Sequence, residues 1–262
     1  MLYAIPYFEL KYFYFLGYPV QSWAVFFWAG WAMMVIITLK ETKRLKLDLP
    51  TAWIMLLLSF LLSEFFAKLL FVLSHIFLHH DLNNDVIIKL CTLGRVYFGG
   101  LLGILIASWI SVKITHQAKR FFNYLDIVLI GHIGSMIFYR FGNLLWHDHM
   151  GRITSFALGM MYYGQIRHEI SLYEIINASI IFLLVWLTRK KIKQPGTIAL
   201  LILFWIALSR FFLDFLRSND LPKSNFHFSF GLTLNQVIYL TIAGFLLPTV
   251  IHRIKSLFSK SS

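Results

Sequence analysis

Residues 197–217, TIALLILFWIALSRFFLDFLR, set the terms for the whole chain. The first part is an unbroken apolar run, and Arg210, Asp214 and Arg217 then enter at spacings of four and three, one helical turn apart on a single face. About 20 mostly apolar residues in a helix cross the hydrocarbon of a bilayer. Ionisable groups carried to that depth are costly unless paired or turned toward water. One stretch therefore predicts both a membrane span and a polar interior.

Six further apolar stretches of similar kind occur at 20–39, 52–78, 96–114, 127–146, 172–187 and 232–251, with the first stretch forming a span over 197–216. The chain has 262 residues, 58% of them hydrophobic and 14% charged, with a mean hydropathy of +0.70. A soluble domain of that composition would expose a large apolar surface. The expected fold is all-α: a polytopic membrane protein of about seven transmembrane helices forming a single domain over 1–262. Residues 1–18 hold Tyr3, Tyr7, Phe8, Tyr12, Phe13, Tyr14, Phe15 and Tyr18, an aromatic crowd suited to a membrane–water interface. They carry no basic leader followed by an apolar core, so a removable signal peptide is not expected.

Charge sets the expected orientation. Fourteen Lys and Arg residues, from Lys40 to Lys46, Lys113 to Arg120, Arg189 to Lys193 and Arg253 to Lys260, fall in alternate loops on one side, against seven on the other. The positive-inside rule then puts the N-terminus outside and the C-terminus in the cytoplasm. The net charge of +12 is distributed among these loops rather than over one soluble face, which favours anionic lipid over nucleic acid as a partner. The single cysteine, Cys91, rules out an intramolecular disulfide and a Cys-rich metal site.

Several clusters interrupt the apolar spans. Glu64 and Lys68 stand four apart and can neutralise each other. Asp214 lies within a turn of both Arg210 and Arg217, a triple with one surplus positive charge. The run YRFGNLLWHDHMGR, residues 139–152, gathers Arg140, Asn143, His147, Asp148, His149 and Arg152 at the end of the fourth span. Adjacent His147, Asp148 and His149 point to different faces, so no metal site is expected there. Gly99 and Gly103 have GxxxG spacing, which serves either close helix packing or the approach of a bound headgroup to the backbone. A transporter could use such intramembrane charges as a pathway, but the chain shows no internal repeat.

In this order the clusters resemble the prolipoprotein diacylglyceryl transferases of bacterial inner membranes, from the second span to the seventh. FGGLLG (98–103) is similar to the family's glycine motif. Arg140, Gly142 and Asn143, followed by Gly151 and Arg152, match its R-x-G-N motif with Gly-Arg downstream. RHEISLYE (167–174) resembles its RHPSQLYE segment, RFFLDFLR (210–217) its R-x-x-x-E-F-x-R segment, and Gln236 a Gln opening the last span. Departures are Phe98 for the His preceding the Gly pair, Ala24 for a Tyr of the first span, Lys68 for an Arg, and Asp148 and Asp214 for two glutamates.

The resemblance implies transfer of the diacylglyceryl group of phosphatidylglycerol to the lipobox cysteine thiol of a prolipoprotein signal peptide, releasing glycerol phosphate, with no cofactor. It implies catalytic roles for Arg140, Arg210, Asp214 and His168. Asn143, Asp148, Gly151, Arg152, Gly99, Gly100, Tyr173, Glu174 and Gln236 are implied to bind substrate. Arg140 and Arg210 suit a phosphate because guanidinium forks engage its oxygens bidentately. With Phe98 unable to accept a proton, His168, His147, His149 and Asp148 remain as acceptors. The alternative is a phospholipid-binding relative without this chemistry, or one with a different acceptor.

Overall fold

The computed structural model describes residues 4–79, 94–147, 150–162, 164–218 and 231–258. Seven of its helices are long and apolar enough to cross a membrane. They are α1 (Ser22–Arg44), α2 (Leu49–His79), α3 (Tyr97–Ile114), α4 (Phe121–Trp146), α5 (Ile170–Thr188), α6 (Thr197–Asp214) and α7 (Leu234–Phe258). The expected spans lie on these helices, but α4 starts ahead of residue 127 and α7 runs past residue 251. Hydropathy reports only the hydrocarbon-length part of a helix, whereas backbone hydrogen bonding continues until something stops it.

The chain divides into two compact units, residues 35–128 and residues 1–34 with 129–262. Within the first, Asp48 caps α2 by accepting from Thr51 N at 2.9 Å and Thr51 Oγ1 at 2.6 Å. These hydrogen bonds hold the Asp48 carboxyl below its usual range. Pro50 sits in the first turn of α2, where its missing N–H is no loss. Helices α2 and α3 meet along a glycine seam. A Cβ on Gly99 would lie 2.3 Å from Phe66 O, and one on Gly103 would lie 2.3 Å from Leu62 O. The GxxxG spacing is therefore used for helix packing. Gly100 lies beside the seam with its nearest atom, Ser63 O, 3.7 Å away. Ser108 and Ser111 return their hydroxyls to Ile104 O and Ala107 O, which lets them be buried without partners on another helix.

The second unit carries two small antiparallel sheets that the all-helical expectation does not contain. Strands β1 (Tyr12–Phe15) and β2 (Tyr18–Gln21) form a hairpin. Its two-residue turn, Leu16 and Gly17, has positive φ at both positions, matching the twist of the strands. Tyr14, Phe15, Leu16 and Tyr18 are all exposed there. Strands β3 (Met150–Ile153), β4 (Gly159–Tyr162) and β5 (Gln165–Glu169) form the other sheet in the order β3-β5-β4. Ile5 extends this sheet beyond β4, donating to Gly159 O at 2.9 Å and accepting from Met161 N at 3.0 Å. Strand β5 runs directly into α5, so Glu169 is at once the last strand residue and the N-cap of the helix, its Oε1 accepting from Ser171 N at 3.1 Å.

Candidate functional site

Three helices of the second unit bring Arg140 (α4), Glu174 (α5) and Arg210 (α6) together. Arg140 Nε lies 2.8 Å from Glu174 Oε2, and Arg210 Nη1 bonds Glu174 Oε1. One carboxylate thus holds two guanidinium groups, one on each oxygen. All three are almost wholly withdrawn from solvent, at 3%, 3% and 6% exposure for Arg140, Glu174 and Arg210. Burying a charge is costly unless it is paired and hydrogen-bonded. The cluster pairs its charges, Arg210 by a hydrogen bond and Arg140 by an ion pair, and its three side chains sum to one positive charge. Two buried guanidinium groups side by side have the charge and the donors suited to an anion.

Glu174 is the group that brings the arginines together. Helical spacing alone places Asp214 against Arg210 and Arg217. In the structure Asp214 Oδ1 faces Arg217 Nε at 3.0 Å, and Thr233 Oγ1 donates to Asp214 Oδ2. Asp214 thereby ties the end of α6 to the start of α7. Gln236 works at the same junction: its Oε1 accepts from Thr233 N at 2.8 Å while Thr233 Oγ1 accepts from Gln236 N at 3.1 Å. This reciprocal pair is a capping box for α7. Asn143, one turn along α4 from Arg140, is buried at 2% exposure.

Gly151 is required by the protein's own backbone. A Cβ there would lie 2.5 Å from Leu216 O and 2.6 Å from His168 Cβ, because β3 is squeezed between β5 and the chain leaving α6, where Gly151 bridges Arg217. Arg152 reinforces that junction, its backbone N donating to Leu216 O at 2.9 Å and its Nε to Arg217 O at 3.1 Å. Arg167 is buried with Nη1 donating to Gly151 O at 3.2 Å, so it belongs to this junction rather than to the exposed loop charge.

His168 and Tyr173 are paired, Nδ1 to Oη at 2.8 Å. Burial pushes the His168 imidazole below its usual range, so it is neutral at neutral pH and able to take a proton. Gly99 belongs to the seam of the first unit described above, and Gly100 lies beside it. Asp148 and His149 lie outside the described residues. Glu64 is held by Lys68 at 3.3 Å, as its spacing predicts, and also by Arg95 Nη2 at 2.8 Å, a partner 31 residues away that no helical spacing reveals.

His147 follows α4 in a left-handed conformation, φ 51°. It faces Glu169 Oε2 at 3.2 Å and Tyr162 Oη at 2.7 Å with Nδ1, and Nε2 bonds Phe8 O. Tyr162 and Glu169 carry no sequence signal of this role, since their partner arrives only through the sheet.

Seven bilayer-length helices with charged residues withdrawn into the protein define a multi-pass membrane protein with a buried, cationic polar site. The chain belongs to the prolipoprotein diacylglyceryl transferase family, whose sequence model matches residues 11–251. Among its relatives is a phosphatidylglycerol–prolipoprotein diacylglyceryl transferase of Campylobacter hominis, 32% identical over 155 residues, which are 58% of this chain and 54% of that protein. Proteins of the same name from Wolinella succinogenes and Legionella pneumophila are 29% identical over 151 residues and 32% identical over 168. Those matches cover 57% and 62% of this chain, and 54% and 62% of the relatives. The chain thus spans little more than half the length of the curated relatives it matches first.

Proposed function

We propose that this protein transfers the diacylglyceryl group of phosphatidylglycerol to the lipobox cysteine thiol of a prolipoprotein signal peptide, releasing glycerol phosphate. The observation that carries the reading is the Arg140–Glu174–Arg210 cluster, buried and one positive charge in excess, in a chain of this family. The whole chain acts as one membrane-embedded domain in the bacterial inner membrane, N-terminus outside and C-terminus in the cytoplasm.

In the reaction the thiol sulfur bonds to a glycerol carbon and the bond from that carbon to the phosphate oxygen breaks. The electron pair leaves with glycerol phosphate, and the thiol proton goes to a base. Negative charge grows on the departing phosphate, so preorganised cations there stabilise the transition state more than the ground state. Arg140 and Arg210 take this role, held in place by Glu174, and Asn143 hydrogen-bonds the headgroup. His168 takes the proton in the tautomer whose Nδ1–H donates to Tyr173 Oη, 2.8 Å away, which leaves Nε2 as the acceptor. Cations near the acceptor thiol also lower its pKa.

Incubating the purified protein with phosphatidylglycerol and a lipobox peptide, followed by mass spectrometry, tests the proposal. A diacylglyceryl mass gain on the cysteine, abolished by Arg210→Ala, is expected. A second reading, a lipid-binding relative without this chemistry, is motivated by Phe98 and Ala24 at positions where the family carries His and Tyr. Retained phosphatidylglycerol with an unmodified peptide, together with failure to complement a strain lacking the transferase, would favour it.

A further inference from the structure

Among the described residues, the arginine site accounts for one buried polar cluster at this end of α4 and α5, and it leaves a second unused. His147, Tyr162 and Glu169 are 5%, 2% and 0% exposed, yet none of them belongs to the arginine cluster. We propose that these three residues form a positioning latch fastening the foot of α4 to the head of α5, with residues 4–11 as the strap that closes it.

The connectivity carries this inference. His147 directly follows α4, seven residues after Arg140, and Glu169 directly precedes α5, five residues before Glu174. A bond between His147 and Glu169 therefore fixes how far α4 and α5 can slide past each other. That slide also sets whether Arg140 Nε meets Glu174 Oε2. Glu169 divides its oxygens between the two tasks: Oε1 caps α5 through Ser171 N, and Oε2 takes the Tyr162 hydroxyl and faces His147.

The strap contributes from the other side of the imidazole. Phe8 O accepts from His147 Nε2, and the Tyr7 ring lies 4.9 Å from the His147 ring, 33° from parallel. Ile5 is paired to β4, and Leu10 N donates to Leu145 O at 3.4 Å.

Counting protons shows which state closes the latch. Phe8 O can only accept, so Nε2 carries a proton. The Glu169 carboxylate can only accept, so the Tyr162 proton goes to it. Nδ1, left facing the Tyr162 oxygen and Glu169, must then carry a proton as well. The imidazolium satisfies every contact, whereas neutral histidine leaves two lone pairs facing each other. Among the described residues, the titratable groups facing His147 are Glu169, Tyr162, Tyr7 and, at longer range, Glu9, which itself pairs with Lys11. Burial alone lowers the His147 pKa, but the hydrogen bonds to Glu169 and Phe8 outweigh it and leave the pKa raised. Burial and the Glu169 charge push the Tyr162 hydroxyl far up, so it stays neutral. The latch is therefore fully closed below the ordinary histidine range and loosens as pH rises through the raised pKa.

The link to catalysis rests on the transferase reading, and the test separates the two. Hydrogen exchange of the peptide covering residues 4–11, expressed as protection factors, reports the strap without any turnover. In the wild type, protection is expected to fall about tenfold as pH rises from 6 to 9. In His147→Gln it is expected to be low and independent of pH, and in Tyr162→Phe intermediate. The second measurement is transfer kinetics per folded protein. A displaced catalytic group costs up to about 100-fold in rate, so kcat is expected to fall tenfold or more in His147→Gln while KM for phosphatidylglycerol changes less than about threefold. Tyr162→Phe, which leaves the His147–Glu169 contact in place, should recover most of the rate. Strap protection that ignores both pH and His147→Gln would overturn the latch, whatever the activity. Unchanged kcat in a variant with a loosened strap would overturn its link to the arginines. A wild type without transferase activity would instead refute the transferase reading.

Discussion

Replacing Glu174 by glutamine keeps the shape of the side chain and removes its charge, which isolates what the carboxylate does for the two arginines. Arg140 and Arg210 are 3% and 6% exposed, so neither can recover its hydration in place. Removing one partner of a buried ion pair costs about 3–5 kcal/mol. At roughly 2–4 °C per kcal/mol for a chain of this size, the apparent Tm should fall by about 10 °C. Glu9→Gln is the control, because the Glu9–Lys11 pair stands outside the spans at 38% and 41% exposure, where an ion pair contributes little to stability. The assay is thermal unfolding in detergent followed by tryptophan fluorescence, with and without phosphatidylglycerol. Because Glu174→Gln removes one negative charge from the site, phosphatidylglycerol should raise its Tm by more than it raises that of the wild type. Equal Tm losses in the two variants, or a smaller lipid-induced rise in Glu174→Gln, would refute the argument that Glu174 neutralises a buried cation pair.

Other outcomes follow from single contacts. Gly103→Ala should disrupt α2–α3 packing and lower folded yield, whereas Gly100→Ala should be tolerated, because their added Cβ atoms meet backbone at 2.3 Å and 3.7 Å; detergent gel filtration of both decides this. Asp48→Ala should cost about 1 kcal/mol through the lost cap. The stability Asp48 supplies is present above its unfolded pKa, near 3.8, and lost as pH falls through its lowered folded value, so wild type and variant should converge in acid melts. His168→Gln should remove the acid-side step from the pH dependence of transfer, because the neutral imidazole acts above a pKa already lowered by burial. An unaltered acid limb would exclude His168 as the proton acceptor. Arg210→Ala should abolish transfer while Lys193→Ala, a loop change of the same sign, leaves it nearly intact, as measured by peptide mass gain.

The helices are legible in the sequence because hydrocarbon imposes both a length and a polarity on any segment that crosses it. The glycine seam is legible for a related reason: its spacing belongs to a single helix, and so does its meaning. Charge pairing is another matter. Spacing shows that Glu64 can reach Lys68 and that Asp214 can reach Arg217, and both contacts are present. It cannot reveal Glu174 between Arg140 and Arg210, or Arg95 on Glu64, because those partners come from other elements. The three-stranded sheet is equally hidden, since MGRI, GMMY and QIRHE are too short and too mixed for a two-residue alternation to stand out. With it go the position of Arg167 and the companions of His147, which depend on strands meeting in space.

The seam between α2 and α3 also bears on how this protein can vary. Glycine is the smallest residue, so every amino-acid replacement at Gly99 or Gly103 adds atoms where a carbonyl oxygen already stands. No single codon change there can be compensated by trimming a neighbouring side chain, because the obstacle is main chain. Any lineage that altered either glycine would first have to respace two whole helices, so these two positions should be among the slowest of the chain to drift.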